Sequence, residues 1–349
     1  MLRAVMEFVR AALLLIASMP LLASAAVILQ YHHVAEDTPA ATSVTPAQFA
    51  GHLQALADEG FEVVPLTELF ERVRNRLDAR ERVAAITFDD GYDNLLTEAL
   101  PLLDRHDWKA AIFVTSGDVG KGGMLDVDDL RAIKASGHLV LNHTQRHPHL
   151  VRQHEGESRT QWLQRIEQEI TGAQAQLERW LGESLPKILA YPYGEHDDDV
   201  RALLQRLGYI GVGQHTGALD AAVDWQQVPR IPVNRRYADW ESLRDKVLAL
   251  PMPVTVVSPD DGVTESEAPV LSVTLPAGWR NRALNCFASG AAITPQRKAG
   301  KDAVQLTLQA SIPVGRSRYT CTASAGEGRF YWFTWVWMRR SADGWYPEY

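Results

Sequence analysis

The sequence predicts an α/β fold followed by a small all-β, sandwich-like domain. Two patterns carry that reading. From Val27 to about Leu250 short apolar strands alternate with amphipathic helices, and after Pro251-Met252-Pro253 the helices stop. Alternating strands and helices build a mainly parallel sheet with helices outside, either a barrel or an open doubly wound sheet. A third observation places the chemistry: the buried-strand pattern Val83–Ile86 runs straight into Thr-Phe-Asp-Asp-Gly-Tyr at residues 87–92. Two acids at the carboxyl end of such a strand stand where these folds keep their active sites.

In order along the chain, residues 1–25 read as a secretory signal peptide. Arg3 and Arg10 flank the start, Ala11–Ile16 is apolar, and Ala23-Ser24-Ala25 is a small-residue cleavage pattern. Pro20 interrupts an apolar run already short for a membrane span. No Cys lies near the cleavage point, so the expected location is periplasmic or secreted, without a lipid anchor.

Residues 26–250 then read as one α/β domain. Its expected strands are Val27–Tyr31, Phe61–Val64, Val83–Phe88, Ala110–Val114, His138–Leu141, Lys187–Tyr191, Tyr209–Val212 and Val228–Ile231. The helices between them run from about Pro46 to Asp58, Leu66 to Leu77, Leu95 to Arg105, Val127 to Ala135, Ser158 to Leu181, Asp197 to Leu207 and Asp239 to Leu248. The clearest helix opens on a Ser158/Gln161 capping box, keeps Trp162, Ile166, Ile170, Ala173, Leu177 and Trp180 on one stripe, and ends at Gly182.

Residues 253–349 read as a β-sandwich. Val254–Val257, Val270–Leu275, Val304–Leu308, Arg318–Thr322 and Phe330–Met338 are strand-like runs separated by turn residues. The last run is apolar on both faces, so one face fills the sandwich core and the other packs on the barrel, with glycan binding as the alternative. Cys286 and Cys321 are the only cysteines. In an oxidising compartment they pair, and neither has the neighbour a zinc site needs. The net charge of −8 argues against nucleic-acid binding.

Adjacent carboxylates raise each other's pKa unless a cation shares the site. His143-Thr144-Gln145-Arg146-His147 supplies two imidazoles, on one face if the stretch turns helically. One carboxylate with two imidazoles is a three-ligand set that leaves a position for water. Ala190-Tyr191-Pro192-Tyr193-Gly194 is a sharp turn that can aim a backbone N–H, that of Tyr193, at an oxyanion. By contrast, Asp197-Asp198-Asp199 opens a helix, where acids suit the dipole and need no catalytic role.

Together these three segments resemble the polysaccharide deacetylases of carbohydrate esterase family 4, which share the NodB homology domain. The resemblance spans about residues 27–250. It implies a distorted (β/α) barrel, a divalent metal (usually zinc) and hydrolysis of N-acetyl groups on sugars. It implies that Asp90, His143 and His147 hold the metal, that Asp89 is the general base, and that the Tyr193 amide steadies the oxyanion.

Two positions depart from the family pattern. An arginine that pairs with the base is replaced by Ala190, and Arg230 in Val228-Pro229-Arg230-Ile231-Pro232 is the candidate substitute. The Leu-x-His segment that carries the acid is missing between Tyr237 and Leu250. Gln30-Tyr31-His32-His33-Val34 instead resembles the poly-β-1,6-N-acetylglucosamine deacetylases of biofilm systems, which makes His32 the acid and turns His33 elsewhere. His215 competes for that role.

The expected substrate is therefore an N-acetylglucosamine polysaccharide, with exopolysaccharide-export machinery as a further partner. Chitin or peptidoglycan is the alternative polymer, and a non-catalytic polysaccharide-binding or export accessory protein is the alternative class. Trp225 and Trp240 are candidates either for a sugar pocket or for packing. His52, His106, His138, His149, His154 and His196 are expected to lie on helices and loops without function.

Overall fold

The computed structural model describes residues 25–77 and 81–347. The expected signal peptide lies, apart from Ala25, outside the described residues.

Eight strands form a parallel sheet: β1 Ala25–Tyr31, β2 Glu62–Val63, β3 Arg82–Phe88, β4 Ala111–Val114, β5 Leu139–Asn142, β6 Ile188–Ala190, β7 Ile210–Val212 and β8 Ile231–Pro232. Their order is β8-β1-β3-β4-β5-β6-β7, with β2 paired to β3. One segment joins the two edges of this sheet: Val228 bridges to Val212 of β7, while Ile231 lies beside Leu29 of β1. The sheet therefore curves into a distorted barrel. Its last strand is broken at Pro229-Arg230, since Pro has no N–H to give the ladder.

The helices are α1 Pro46–Asp58, α2 Leu66–Arg74, α3 Leu95–Asp104, α4 Val127–Ala135, α5 Arg159–Leu181, α6 Asp198–Leu207 and α7 Trp240–Val247. The capping boxes form as the sequence implies, at Thr45/Gln48, Asp126/Asp129 and Ser158/Gln161. Gly182 ends α5 with a left-handed φ of 73°. The first half of α3, Leu95–Ala99, is a π-helix, a form that periodicity alone does not announce.

Strand alternation separates an inner cluster of the barrel core from two outer ones, one of them formed by Leu189 and Tyr191 with Trp162, Ile166 and Leu203. Val27, Leu29, Tyr31, Ile86 and Phe88 face α1 and the other outer helices. Ala26, Ile28, Val83, Ala85, Ala111, Phe113 and Ala190 form the inner cluster, into which Phe70 of α2 packs. Trp225 packs there too, edge-on to Phe70 and beneath Arg74, while Trp240 packs on the cluster that faces α1. Both tryptophans are thus packing residues.

Beyond the barrel the chain is all β. Its strands are β9 Leu250–Pro251, β10 Thr255–Ser258, β11 Val263–Thr264, β12 Val270–Pro276, β13 Asn285–Ala288, β14 Ala291–Ile293, β15 Gln296–Ala299, β16 Ala303–Gln309, β17 Gly315–Gly326 and β18 Arg329–Arg339. One sheet runs β9-β18-β17-β13-β14 with β11 against β18, and the other runs β10-β12-β16-β15. Cys286 and Cys321 face each other across β13 and β17 and form the disulfide. It closes a loop of 35 residues, worth about 3–4 kcal/mol in the chain-entropy model.

Strand β18 uses both of its apolar faces. Trp335 and Trp337 enter the sandwich core, while Trp332 packs on the barrel cluster. The long apolar run thus reflects two packed faces.

Candidate active site

Parity places the two acids. Val83 and Ala85 lie on the inner face of β3, so Thr87 and Asp89 continue it. Asp89 is fully buried, and Arg230 grips both of its oxygens, Nη1 to Oδ1 and Nη2 to Oδ2, each at 2.7 Å. Gln30, on the matching face of β1, donates to Asp89 Oδ2 at 2.6 Å. Arg230 is itself fully buried over Phe113, and it also donates to Thr87 Oγ1 and the Gly213 carbonyl. The broken strand β8 is what lets this arginine enter the barrel.

Burial pushes the Asp89 carboxyl up, but the charges of Arg230, His143 and His32 outweigh it and hold the group below its usual range.

Asp90 would face outward if the strand ran on. Instead its φ is 73°, and Oδ1 lies 3.2 Å from His143 Nε2 and 3.5 Å from His147 Nε2. The three ligand atoms lie within 4.8 Å of one another. The two edges that meet at Asp90, 3.2 and 3.5 Å, suit an ion whose ligand distances are about 2.0–2.1 Å.

The chemistry of the donors fits a cation as well. His143 Nδ1 lies 2.8 Å from the Ala190 carbonyl, which can only accept, so that nitrogen carries the hydrogen. Its Nε2 is buried, makes no hydrogen bond of good geometry, and faces Asp90. This is how metal-binding imidazoles are oriented. Burial pushes His143 down, yet Asp90 and Asp89 drive it up, so the site attracts positive charge. Burial and the charge of His143 lower His147 to about 4, leaving its imidazole neutral and able to ligate. Asp90 is pushed up by burial, but the close approach of His143 and the charges of His32, His143 and His147 hold it well below the usual carboxylate range.

The histidine loop is not helical. Thr144 and His147 adopt φ of 68° and 54°, which fold residues 143–147 back on themselves. Asn142 Oδ1 accepts from the Thr144 amide, and Thr144 Oγ1 accepts from the His147 amide. Glu169 of α5, buried, takes the Arg146 amide and Nε at 3.0 and 2.6 Å. The expected face-sharing on a helical turn is therefore replaced by a loop pinned at both ends.

Tyr193 also has positive φ, 59°. Asp90, Thr144, His147 and Tyr193 account for half of the eight left-handed non-glycine residues among those described. Each costs about 1–2 kcal/mol, so the surroundings must hold them, as at many functional sites. Gly194 follows with φ of 70°, and a Cβ there would meet the Gln214 side chain at 2.6 Å.

His32 is half-buried, and its charge acts on Asp89, Asp90 and His147. His33 turns away, stacked on Tyr92 at 3.5 Å with Nδ1 2.8 Å from Asn94 Nδ2. His215 instead lines a cavity at the seam with the β-domain, together with His196, Arg201 and Asp261. Burial and the charges of Arg318 and Arg230 lower it to about 4.

Sequence reasoning missed several residues. Gln30 opens the Gln30-Tyr31-His32-His33-Val34 segment, and strand parity alone aims it at Asp89. Tyr92 lies beside Asp90, and burial together with that carboxylate's charge raises its phenol. His149, expected to have no role, lies face to face with the Tyr193 ring at 3.9 Å.

Residues 76–212 match the family model described as polysaccharide deacetylase. The middle of the barrel therefore carries a polysaccharide deacetylase domain. A deacetylase from Streptococcus pyogenes, PplD, solved with acetate, superposes with a TM-score of 0.56 at 27% identity over 64% of this chain and 98% of its own. IcaB from Ammonifex degensii shares the fold, with a TM-score of 0.54 at 22% identity over 62% of this chain and 95% of its own.

Among sequence relatives, the putative polysaccharide deacetylase YxkH of Bacillus subtilis is 24% identical over 192 residues, 55% of this chain and 65% of YxkH. A chitooligosaccharide deacetylase of Bradyrhizobium is 29% identical over 53% of this chain and 74% of its own length. The deacetylase domain is that of a hydrolase acting on N-acetyl amide bonds. Among the described residues no helix is long and apolar enough to cross a membrane, and the disulfide fits an extracytoplasmic setting.

Proposed function

We propose that the protein is a periplasmic or secreted metal-dependent N-deacetylase of a β-linked N-acetylglucosamine polysaccharide, of the poly-β-1,6-linked kind. In this reading residues 1–25 are its leader, 26–250 its catalytic domain and 253–349 an accompanying β-domain. The observation that carries it is the meeting of Asp90, His143 and His147 beside a second carboxylate, Asp89, gripped by Arg230.

A divalent cation, zinc being usual for one carboxylate and two imidazoles, would be held by Asp90, His143 and His147 and would supply Lewis acidity to an acetyl carbonyl and to water. Asp89 takes the proton of the attacking water. Its lowered pKa makes it a weak base, so it works only on an acidified solvent molecule. The water oxygen bonds to the carbonyl carbon, and the developing negative charge lies against the Tyr193 N–H. The C–N bond then breaks, His32 gives its proton to the departing sugar amine, and acetate leaves.

The Tyr31-His32 pair after the first strand supports the β-1,6 polymer. The likeness to a chitooligosaccharide deacetylase favours a second reading, a β-1,4-linked oligosaccharide. Acetate release from β-1,6- and β-1,4-linked N-acetylglucosamine oligomers and from muramyl-containing glycan, with and without chelator, tests both. Faster chelator-sensitive release from the β-1,6 oligomer is expected. Activity indifferent to chelator, or retained by Asp89→Asn, refutes the mechanism.

A further inference from the structure

We propose that the C-terminal β-domain is a working part of the active site, holding the Tyr193 loop in register through Tyr346, Glu195 and Arg316 as positioning residues. The inference rests on the deacetylase reading above.

The contacts form a chain that ends on the proposed oxyanion donor. Tyr346 is buried, and its hydroxyl donates to Glu195 Oε1. Glu195, directly after the Tyr193-Gly194 turn, is fully buried, and its other oxygen lies 2.6 Å from His149 Nδ1. The His149 ring then covers the Tyr193 ring with only 7° between their planes. The His147 ring meets Tyr193 from another side, edge-on at 4.5 Å. A rigid aromatic placed between two imidazoles fixes its own peptide, including the N–H that must meet the substrate's oxygen.

Arg316 of β17 acts on the same residue from outside. Its Nη1 donates to the Tyr193 carbonyl at 2.9 Å, and its guanidinium lies 5.3 Å above the Tyr193 ring. It also approaches Glu195, with Nε 3.7 Å from Oε1. Arg318, two residues on, donates to the Gln214 carbonyl at 3.0 Å, and Gln214 is the residue that packs where Gly194 has no side chain. The terminal segment is itself anchored. Arg152, in the loop after the second histidine, lies 4.7 Å from the Tyr346 ring and 5.6 Å from that of Trp345.

Apart from the Arg152 contacts, which anchor the segment, these contacts from the β-domain land on or behind the turn that carries Tyr193. That turn is strained by its positive φ, so it relaxes unless held. A relaxed turn still admits substrate, but it no longer aligns a donor with the charge that forms in the transition state. The β-domain therefore acts on turnover and not on substrate capture.

The test uses the full chain, metal-loaded, with an N-acetylglucosamine oligomer. Tyr346→Phe keeps the ring and removes only the hydroxyl. It is expected to lower kcat about tenfold, against the 10²–10³ lost when an oxyanion donor is deleted outright. KM should stay within about twofold and bound metal per chain should not change. Hydrogen exchange of peptides spanning 191–196 should accelerate.

Arg316→Gln, on a side chain 42% exposed and easily accommodated, should show the same split. Glu195→Gln combined with Tyr346→Phe should lose no more than the worse single change, because the two act in series. Removing the disulfide with Cys286→Ser/Cys321→Ser, inside the sandwich core, should lower stability and leave kcat alone.

Unchanged kcat in both Tyr346→Phe and Arg316→Gln, with Asp89→Asn inactive, overturns the positioning role and spares the deacetylase reading. Wild-type protein that releases no acetate from any oligomer overturns both. Strictly additive losses in the double variant overturn the serial chain.

Discussion

Arg230→Gln removes the guanidinium from Asp89 while keeping a side chain that fills part of the space. Both side chains of this ion pair are fully buried, so no solvent screening reduces its weight. Deleting one partner leaves a bare carboxylate in a low-dielectric barrel, which costs about 3–5 kcal/mol. At about 2–4 °C per kcal/mol for a domain of this size, the melting temperature should fall by roughly 6–20 °C.

Removing both charges, with Arg230→Gln/Asp89→Asn, should recover most of that loss, since a neutral pair no longer carries the desolvation penalty. Thermal and urea unfolding of the single and double variants measure it, and acetate release runs alongside. The double variant should be stable yet inactive, separating the two duties of Asp89. A double variant no more stable than Arg230→Gln would refute the charge argument and leave lost packing as the cause.

Three further outcomes follow from the same geometry. His143→Ala and His147→Ala should each abolish binding of one divalent ion per chain, read by elemental analysis, because two remaining ligands do not hold zinc tightly. His32→Ala should lower kcat about 10²–10⁴-fold with metal content unchanged, whereas His215→Ala should alter stability and leave turnover; the reverse pattern would reassign the acid.

Burial, with Asp261 and Asp199 nearby, pushes Asp197 up to about 7. A raised carboxylate binds its proton more tightly when folded, so stability falls as pH rises from about 4 to 7. Asp197→Asn keeps the helix cap and removes the charge, and should add about 2 kcal/mol at pH 8 with little change at pH 4. Urea unfolding at the two pH values checks the sign, and a variant that keeps the wild-type slope would refute it.

Much of the barrel was legible because its signals are local. Pro46–Asp58 and Val127–Ala135 match their expected limits residue for residue, since caps and stripes are written within single helices. The C-terminal strands were less legible. Asn285–Ala288 is too short and Gln296–Ala299 too polar to stand out, and they exist because partners pair with them. Of the site, the acids and the paired histidines were visible as residue types at strand ends. The helical turn expected to unite the histidines was not there, because Thr144 and His147 take left-handed backbone that the adjacent Asn142 and the distant Glu169 of α5 hold in place.

The sequence by itself determined which chemistry the chain carries: two acids after a buried strand, two imidazoles four residues apart, and a Pro-Tyr-Gly turn. These need only short range, because strand parity, caps and turn residues act within a few positions. Tertiary structure alone decided which groups meet. Arg230 reaches Asp89 across 141 residues, and Tyr346 reaches Glu195 across 151. Contacts at such distances depend on how the barrel closes and how the β-domain docks, and no local pattern encodes either.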